Sequence, residues 1–226
     1  MDQSSRNEAL AIVAHELRNE LNVLASWAAL LKHPPFDVDH LHQAAAVMDR
    51  ATEIALRLCD DLRVLAGDGE PLFLPTRLDL RDVAIAGVAA AAPRARRKRV
   101  RVVQQLGAGP VWVLGDRVRL AEVISNLLGN ALAFTGPGDT ITVEVAERHG
   151  HARLVVADTG DGISAAFLPR VFDKFAQEPR PHAEGRGLGL YVVRTLVELH
   201  KGSVEVESGG HALGTRFVVT LASAAA

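Results

Sequence analysis

The chain has 226 residues, 48% of them apolar, and a formal net charge of −2. That length suits one large domain or two small ones with buried cores, and the balanced charge gives no general attraction to nucleic acid or to an anionic membrane. One cysteine, Cys59, excludes an internal disulfide framework and any multi-cysteine metal site, and fits a reducing compartment. No apolar run approaches the ~18 residues of a membrane helix. Residues 1–8 are polar and lack a secretory core. A soluble, cytoplasmic protein without a membrane span is therefore expected. No segment reads as a sensor domain, so the input is expected from a separate protein or from a longer chain.

Residues 8–33 contain neither Gly nor Pro. Their apolar stripe, Leu10, Val13, Leu17, Leu21, Leu24, Ala28 and Leu31, advances in steps of three or four and predicts one long helix. Pro34-Pro35 ends it, because proline cannot continue the hydrogen-bond ladder. A second helix is predicted from Asp39, its N-cap, to Ala66. Its seam is Leu41, Ala44, Met48, Ala51, Ala55, Leu58, Leu62 and Leu65, a heptad pattern. Two helices cannot cover both stripes alone, so two hairpins are expected to pair into a dimeric four-helix bundle. The plainer alternative is a monomeric hairpin packed on the rest of the chain.

In the first helix His15 lies two residues past Val13 and is expected to face solvent. Neutral imidazole is a competent nucleophile near pH 7. Glu16 beside it can hold the proton of one ring nitrogen and leave the other free to attack. Asn19, one turn on, shares the face of His15, where an amide can orient water. A surface histidine alone carries little weight; its meaning depends on the rest of the chain.

Gly67-Asp68-Gly69-Glu70-Pro71 reads as a linker. The expected organisation is a hairpin over 1–67, a linker over 68–73 and a second domain over 74–226. In that domain short strands over Val100–Gln105, Val111–Leu114, Thr140–Ala146, Arg153–Ala157, Ser203–Glu207 and Arg216–Leu221 alternate with helices near 81–98, 117–133, 164–175 and 188–200. This order predicts an α+β sandwich, with hairpin turns at His149-Gly150 and Gly209-Gly210. The basic run from Arg94 to Arg99 reads as a solvated helix end. His40, His42, His149 and His151 read as exposed.

Several stretches of this domain carry chemistry. Asn126 and Asn130 share one face of the 117–133 helix while Leu127, Leu128 and Ala131 turn to the core, and a carboxamide oxygen is a suitable hard ligand for Mg²⁺. Asp158-Thr159-Gly160-Asp161-Gly162 follows a strand, and its glycines allow close backbone approach. Phe172 and Phe175 are expected as core anchors. Ala176 to Glu184 reads as a mobile lid. Gly185-Arg186-Gly187-Leu188-Gly189 opens a helix, whose free N–H groups and dipole suit phosphate groups, without the Rossmann or P-loop spacing. Gly214-Thr215 opens the last strand. Each stretch alone is weak, since plain turns and calcium loops look alike.

Their order is more specific. Ala14-His15-Glu16-Leu17-Arg18-Asn19 resembles the H-box of sensor histidine kinases of two-component systems. The asparagine helix, the Asp-x-Gly-x-Gly loop, the Val171–Phe175 stretch and the Gly-x-Gly-x-Gly turn resemble that family's N-, G- and F-boxes in the right sequence. The resemblance covers essentially the whole chain. It implies a dimerisation and phosphoacceptor hairpin followed by an ATP-binding catalytic domain of the GHKL superfamily, an α/β sandwich. By the same resemblance ATP and Mg²⁺ are the implied cofactors, with Asn130 on the metal and Asn126 beside the phosphates. Phe134 and Asp158 are implied at the adenine, and Gly160, Gly162, Arg186, Gly187, Leu188, Gly189 and Thr215 around the nucleotide. His15, Glu16 and Asn19 are implied as catalytic. The implied activity is autophosphorylation of His15 and transfer to an aspartate of a response-regulator receiver, with Asn19 and Glu16 implying a reverse phosphatase activity. Asn126 stands where hydrolytic members of the superfamily carry a water-activating glutamate, which favours transfer over hydrolysis. Two positions depart from the pattern: Glu20 replaces a proline that bends the helix, and Ala133 replaces a lysine that reaches the phosphates. These departures leave an alternative, a non-catalytic histidine phosphotransferase or dimer scaffold with a weakened ATP domain.

Overall fold

The computed structural model describes residues 3–32, 37–38, 41–42, 44–48, 51–52, 54–55, 59, 73–178 and 187–224, with side chains in the first helix described for residue 14 and from residue 17 onward. The chain divides into two compact units, residues 1–72 and 73–226.

In the first unit α1 spans Gln3–Leu30, five residues earlier at its start than the stripe alone suggests. Leu31 closes it with a bond from its N–H to the Trp27 carbonyl, 2.9 Å. The described residues from 38 to 59 are helical, in keeping with a second helix. Ala44, Ala51 and Ala55 of its expected seam are buried. Leu21 of the first stripe and Leu41 of the second are 50% and 46% exposed, so parts of both apolar stripes lie open in a single chain. Leu58, Leu62 and Leu65 and residues 67–72 of the expected linker lie outside the described residues.

In the second unit a five-stranded sheet runs in the order β2-β4-β5-β7-β6, and a separate ribbon pairs β1 with β3. The strands are β1 (Thr76–Asp79), β2 (Arg101–Leu106), β3 (Trp112–Gly115), β4 (Thr140–Arg148), β5 (His151–Asp158), β6 (Ser203–Glu207) and β7 (Thr215–Ala222). The helices are α2 (Leu80–Lys98), α3 (Arg117–Ala133) and α4 (Gly189–Leu199). β2 and β4 are parallel, joined through β3 and α3, and the other pairs of the large sheet are antiparallel.

Alternation sets which face of the sheet is covered. Val143, Val156 and Phe217 stand opposite one another in the register, as do Val145, Leu154 and Val219, and all six are buried. Period-two alternation puts such rows on one face, and α3 meets them with Leu120, Val123, Ile124, Leu127 and Leu128, all at or below 2% exposure. The β4–β5 hairpin turns at His149 and Gly150, with φ of 53° and 75°, the paired positive dihedrals of a tight turn that matches strand twist. Gly210 lies in the longer β6–β7 connection, with φ of 112°.

Two expectations change, and one strand is new. Residues 164–175 form turns around a short 3₁₀ segment, Leu168–Arg170, in place of a helix. Pro169 removes a donor there, and the Ser164 hydroxyl takes the Phe167 N–H, 3.3 Å. Phe172 packs edge-on against Phe217, but Phe175 is 41% exposed with φ of 59°, so it is no core anchor. Strand β1, too short to alternate visibly, escapes a sequence reading; Asp79 then caps α2 by accepting the Arg81 N–H, 3.0 Å.

Candidate functional site

Asp158 ends β5 and faces Thr215 at the start of β7. Its Oδ1 accepts the Gly160 N–H at 2.9 Å. Burial pushes the Asp158 carboxyl up to about 6; the N–H groups of Gly160 and Thr215 oppose the shift, and the neighbouring charges of Asp139 and Asp161 add to it. A cavity of about 310 Å³ opens here, lined by Asp158, Ser208, Leu213, Gly214 and Thr215 among others. Asn126 and Asn130 are not part of that lining.

The Asp158–Ile163 loop is clamped between two other segments. Against the end of α3, the Phe134 carbonyl accepts the Asp161 N–H at 3.0 Å, and a Cβ on Gly160 would stand 2.1 Å from that same oxygen. Against the β6–β7 connection, Ala212 N–H reaches the Asp161 carbonyl at 2.7 Å and Gly214 N–H the Gly160 carbonyl at 3.1 Å. Ser208 closes this side: its hydroxyl donates to the Gly214 carbonyl, 2.7 Å, and accepts the Ile163 N–H, 2.9 Å. Gly162 and Gly214 have φ of 68° and 70°, and a Cβ on either would stand 2.0 Å from a carbonyl oxygen. Only glycine meets both demands.

The asparagines of α3 lie beside the start of α4. Asp116 caps α3, its Oδ1 accepting the Val118 and Arg119 N–H groups. One helical turn before Asn126, Glu122 pairs with the nearly buried Arg119 at 3.1 Å. Asn126 donates through Nδ2 to the Glu122 carbonyl, 3.0 Å, which leaves Oδ1 to point at α4: a Cβ on Gly189 would lie 2.9 Å from it. Asn130, one turn on, is half-buried. Phe134 caps α3 and is half-buried, and Ala133 beside it is exposed. Gly187, with φ of 69°, packs on the backbone of Phe175 and Ala176, and Leu188 is buried.

The structure thus brings Asn126 to Gly189, Phe134 to Gly160, and Asp158 to Thr215. Asn19 is exposed on α1; His15 and Glu16 are helical positions of α1 whose side chains lie outside the described residues. Arg186 and residues 179–184 of the expected lid also lie outside them. Ser208 was not legible from the sequence: a lone serine before Gly209-Gly210 looks like any turn residue. Asp116 carried a signal in principle, since Gly-Asp before an apolar run is an N-cap signature.

Residues 115–225 match the family described as histidine kinase-, DNA gyrase B-, and HSP90-like ATPase. The sensor histidine kinase TrcS of Mycobacterium tuberculosis is 37% identical over 206 residues, 87% of this chain and 40% of TrcS. Residues 115–225 belong to that ATPase family, and the chain's relatives are sensor histidine kinases. Among solved structures, the mycobacterial sensor histidine kinase MprB is 27% identical with a TM-score of 0.58, over 66% of this chain and 98% of that one. Full-length ShkA, solved in complex with AMPPNP, is 26% identical with a TM-score of 0.72, over 97% of this chain and 47% of that one. The chain spans about two-fifths of the length of the curated relatives TrcS, R01002 and TcrY. The second unit is therefore an ATP-binding domain of the kind found in histidine kinases, built as a mixed sheet under helices, and its relatives are named as sensor histidine kinases. Among the described residues no helix is long and apolar enough to cross a membrane.

Proposed function

We propose that the chain is a two-component protein histidine kinase, which takes the terminal phosphoryl group of ATP onto His15 and passes it to an aspartate of a response-regulator receiver. The observation that carries this reading is the convergence of separate sequence boxes, Asn126 on Gly189, Phe134 on Gly160 and Asp158 on Thr215, in a domain of the histidine kinase family.

In this reading adenine lodges at Asp158, whose ionised carboxylate accepts the amino group and rejects guanine. Thr215, Gly160 and Gly162 line that end, with Phe134 nearby. The phosphates lie between α3 and the start of α4, where Gly187, Leu188 and Gly189 offer backbone N–H groups and Arg186 a charge. Mg²⁺ fits this donor set, since it keeps waters and phosphate oxygens and needs one or two protein oxygens; the half-buried Asn130 amide is the candidate. Bound there, the ion would neutralise charge on the phosphates. A free imidazole nitrogen of His15 attacks the terminal phosphorus, an N–P bond forms, the bridging P–O bond breaks and ADP leaves. Glu16 takes the proton from the other ring nitrogen. Catalysis rests on positioning and charge neutralisation. Asn126 supplies no base for water, which favours transfer over hydrolysis. Asn19 and Glu16 serve the reverse, phosphatase reaction.

The open apolar side chains Leu21 and Leu41 support a homodimer in which a second hairpin covers them. The receiver then docks on the bundle beside His15, the input comes from a separate or attached sensor, and the chemistry runs in the cytoplasm. Ala133, exposed and uncharged, favours the alternative of a weakened ATP domain on a phosphotransferase scaffold.

Incubation with γ-labelled ATP and Mg²⁺ tests the proposal. An acid-labile, base-stable label is expected, lost in His15→Ala and in Asn130→Ala. Label retained by His15→Ala would refute the acceptor. Absence of nucleotide binding in calorimetry would favour the scaffold reading, and steady phosphate release without labelled protein a hydrolase.

A further inference from the structure

His200, at the end of α4, is buried and makes three contacts that the nucleotide reading does not use. Its Nδ1 lies 2.7 Å from the Leu196 carbonyl, and its Nε2 lies 3.0 Å from the backbone nitrogen of Asp116. A carbonyl only accepts and an amide N–H only donates, so the pair of bonds requires a neutral ring with its proton on Nδ1. The Phe73 ring meets His200 edge-on, centroids 4.9 Å apart. Gly115 leaves room for the ring: a Cβ there would stand 3.0 Å from the His200 Cδ2.

Asp116 ties the same point to two further segments. Its Oδ1 caps α3, and its Oδ2 accepts the Leu74 N–H at 3.0 Å. Burial alone would raise the Asp116 carboxyl, yet the N–H groups of Leu74, Arg119 and Val118 and the Arg119 charge hold it below the usual carboxylate range. Phe73 and Leu74 are the first residues of the second unit, directly after the segment that joins it to the hairpin. One joint therefore fastens the start of the unit, the start of α3 and the end of α4.

The geometry points to His200 as a positioning residue for the nucleotide site. α3 leaves the joint and reaches Asn126 ten residues later; α4 begins at Gly189 and arrives at the joint eleven residues later. At 1.5 Å per residue both paths are about 15 Å long, and their far ends touch where Gly189 meets Asn126. The two helices form an antiparallel pair, pinned at one end by the His200–Asp116 bond. A shift of Phe73–Leu74 pulls on that pin and tilts α4 against α3, which changes the gap between the Asn126 amide and the N–H groups at the start of α4. His200 thereby couples the position of the linker's end to phosphate binding.

The inference rests on the ATP-binding reading, and the experiment separates the two. Affinity for AMPPNP is measured by calorimetry on the full chain, corrected to the folded fraction by circular dichroism, for wild type, His200→Ala, His200→Gln and Phe73→Ala. A glutamine amide offers an N–H donor group at one end and an acceptor oxygen at the other, as the neutral ring offers a donor and an acceptor nitrogen. Expected are a loss of about tenfold in His200→Ala, the size of an ordinary coupling between sites, a smaller loss in Phe73→Ala, and recovery in His200→Gln. Long-range ¹⁵N–¹H spectra of the wild type should show His200 with its proton on Nδ1. Wild-type affinity per folded molecule in both His200→Ala and Phe73→Ala would overturn the inference, as would an Nε2-protonated ring; Phe73→Ala keeps the test open if His200→Ala does not fold. A wild type that binds no AMPPNP would instead defeat the nucleotide reading.

Discussion

Asp158 should make the free domain less stable because of what it is proposed to bind. Its carboxyl is raised from 3.8 to about 6, first by burial. A tenfold change in an acid's dissociation constant corresponds to ~1.4 kcal/mol, so ionising Asp158 in the folded state costs about 3 kcal/mol at pH 8 before screening by solvent on its open side. Asp158→Asn removes that cost, a figure that already contains the opposing Gly160 and Thr215 N–H bonds and that solvent screening lowers further. The net expectation is a gain of about 1–2 kcal/mol, or roughly 3–6 °C in Tm for a chain of this size. The sign follows from linkage. A folded-state pKa above the unfolded one adds stability below about pH 4, and that stability is lost as pH rises toward 6 and beyond. The gain in the asparagine variant should therefore be small near pH 4, grow between 4 and 6, and level off above 7. Thermal unfolding of both proteins across this range measures it, and calorimetry with AMPPNP should show binding lost in the variant at every pH. A variant no more stable than wild type at pH 8, or a gain equal at pH 4 and pH 8, would refute the reasoning.

Other substitutions separate the site from its scaffold. AMPPNP affinity of the wild type should fall by about tenfold per pH unit below 6, as the Asp158 carboxylate is protonated; calorimetry at pH 5 and pH 7.5 measures this. Gly162→Ala forces a Cβ to within 2.0 Å of the Gly210 carbonyl at a positive φ, and a loss of at least about 2 kcal/mol is expected in denaturant unfolding, with loss of nucleotide binding. Gly87→Ala puts a Cβ 2.5 Å from the Ile124 Cγ2, a side-chain atom, so it should destabilise by about 1–3 kcal/mol through overpacking while AMPPNP affinity per folded molecule stays unchanged. Replacing the open seam residues together, Leu21→Asp with Leu41→Asp, should shift sedimentation velocity to a monomer and leave AMPPNP binding intact.

What could be read from the sequence tracks the range of the interactions involved. The helical stripe of α1, the strand alternation of β4 and β5, and the His149-Gly150 turn are local patterns, and each lies close to its expected position. The glycine motifs were legible as glycine, but their reason is non-local: Gly160 yields to the Phe134 carbonyl and Gly162 to the Gly210 carbonyl, partners 26 and 48 residues away in a chain whose fold had to be known first. The 164–175 stretch misled because its apolar spacing is helical, whereas Pro169 and the Ser164 hydroxyl act on the backbone directly. His200 was invisible for the same reason as Ser208: its partners are backbone groups, which leave no residue signature.

Ala133 raises the question of which cation serves the phosphates where the family resemblance leads one to expect a lysine. Lys98, from the basic end of α2, reaches the last turn of α3 and donates to the Leu132 carbonyl. There it complements the negative end of the helix dipole and satisfies a carbonyl with no intrahelical partner. A cation held on carbonyls is committed to stability, because moving it to a phosphate would leave that carbonyl unpaired. Lys98→Ala is therefore expected to lower stability by about 1–3 kcal/mol, as for a hydrogen bond to a charged group, with AMPPNP affinity per folded molecule unchanged. Arg186→Ala should do the opposite, weakening AMPPNP without moving the unfolding midpoint of the nucleotide-free protein. If Lys98→Ala weakened AMPPNP as much as Arg186→Ala, the lysine would be acting in place of the residue at 133, and its bond to Leu132 would describe only the nucleotide-free state.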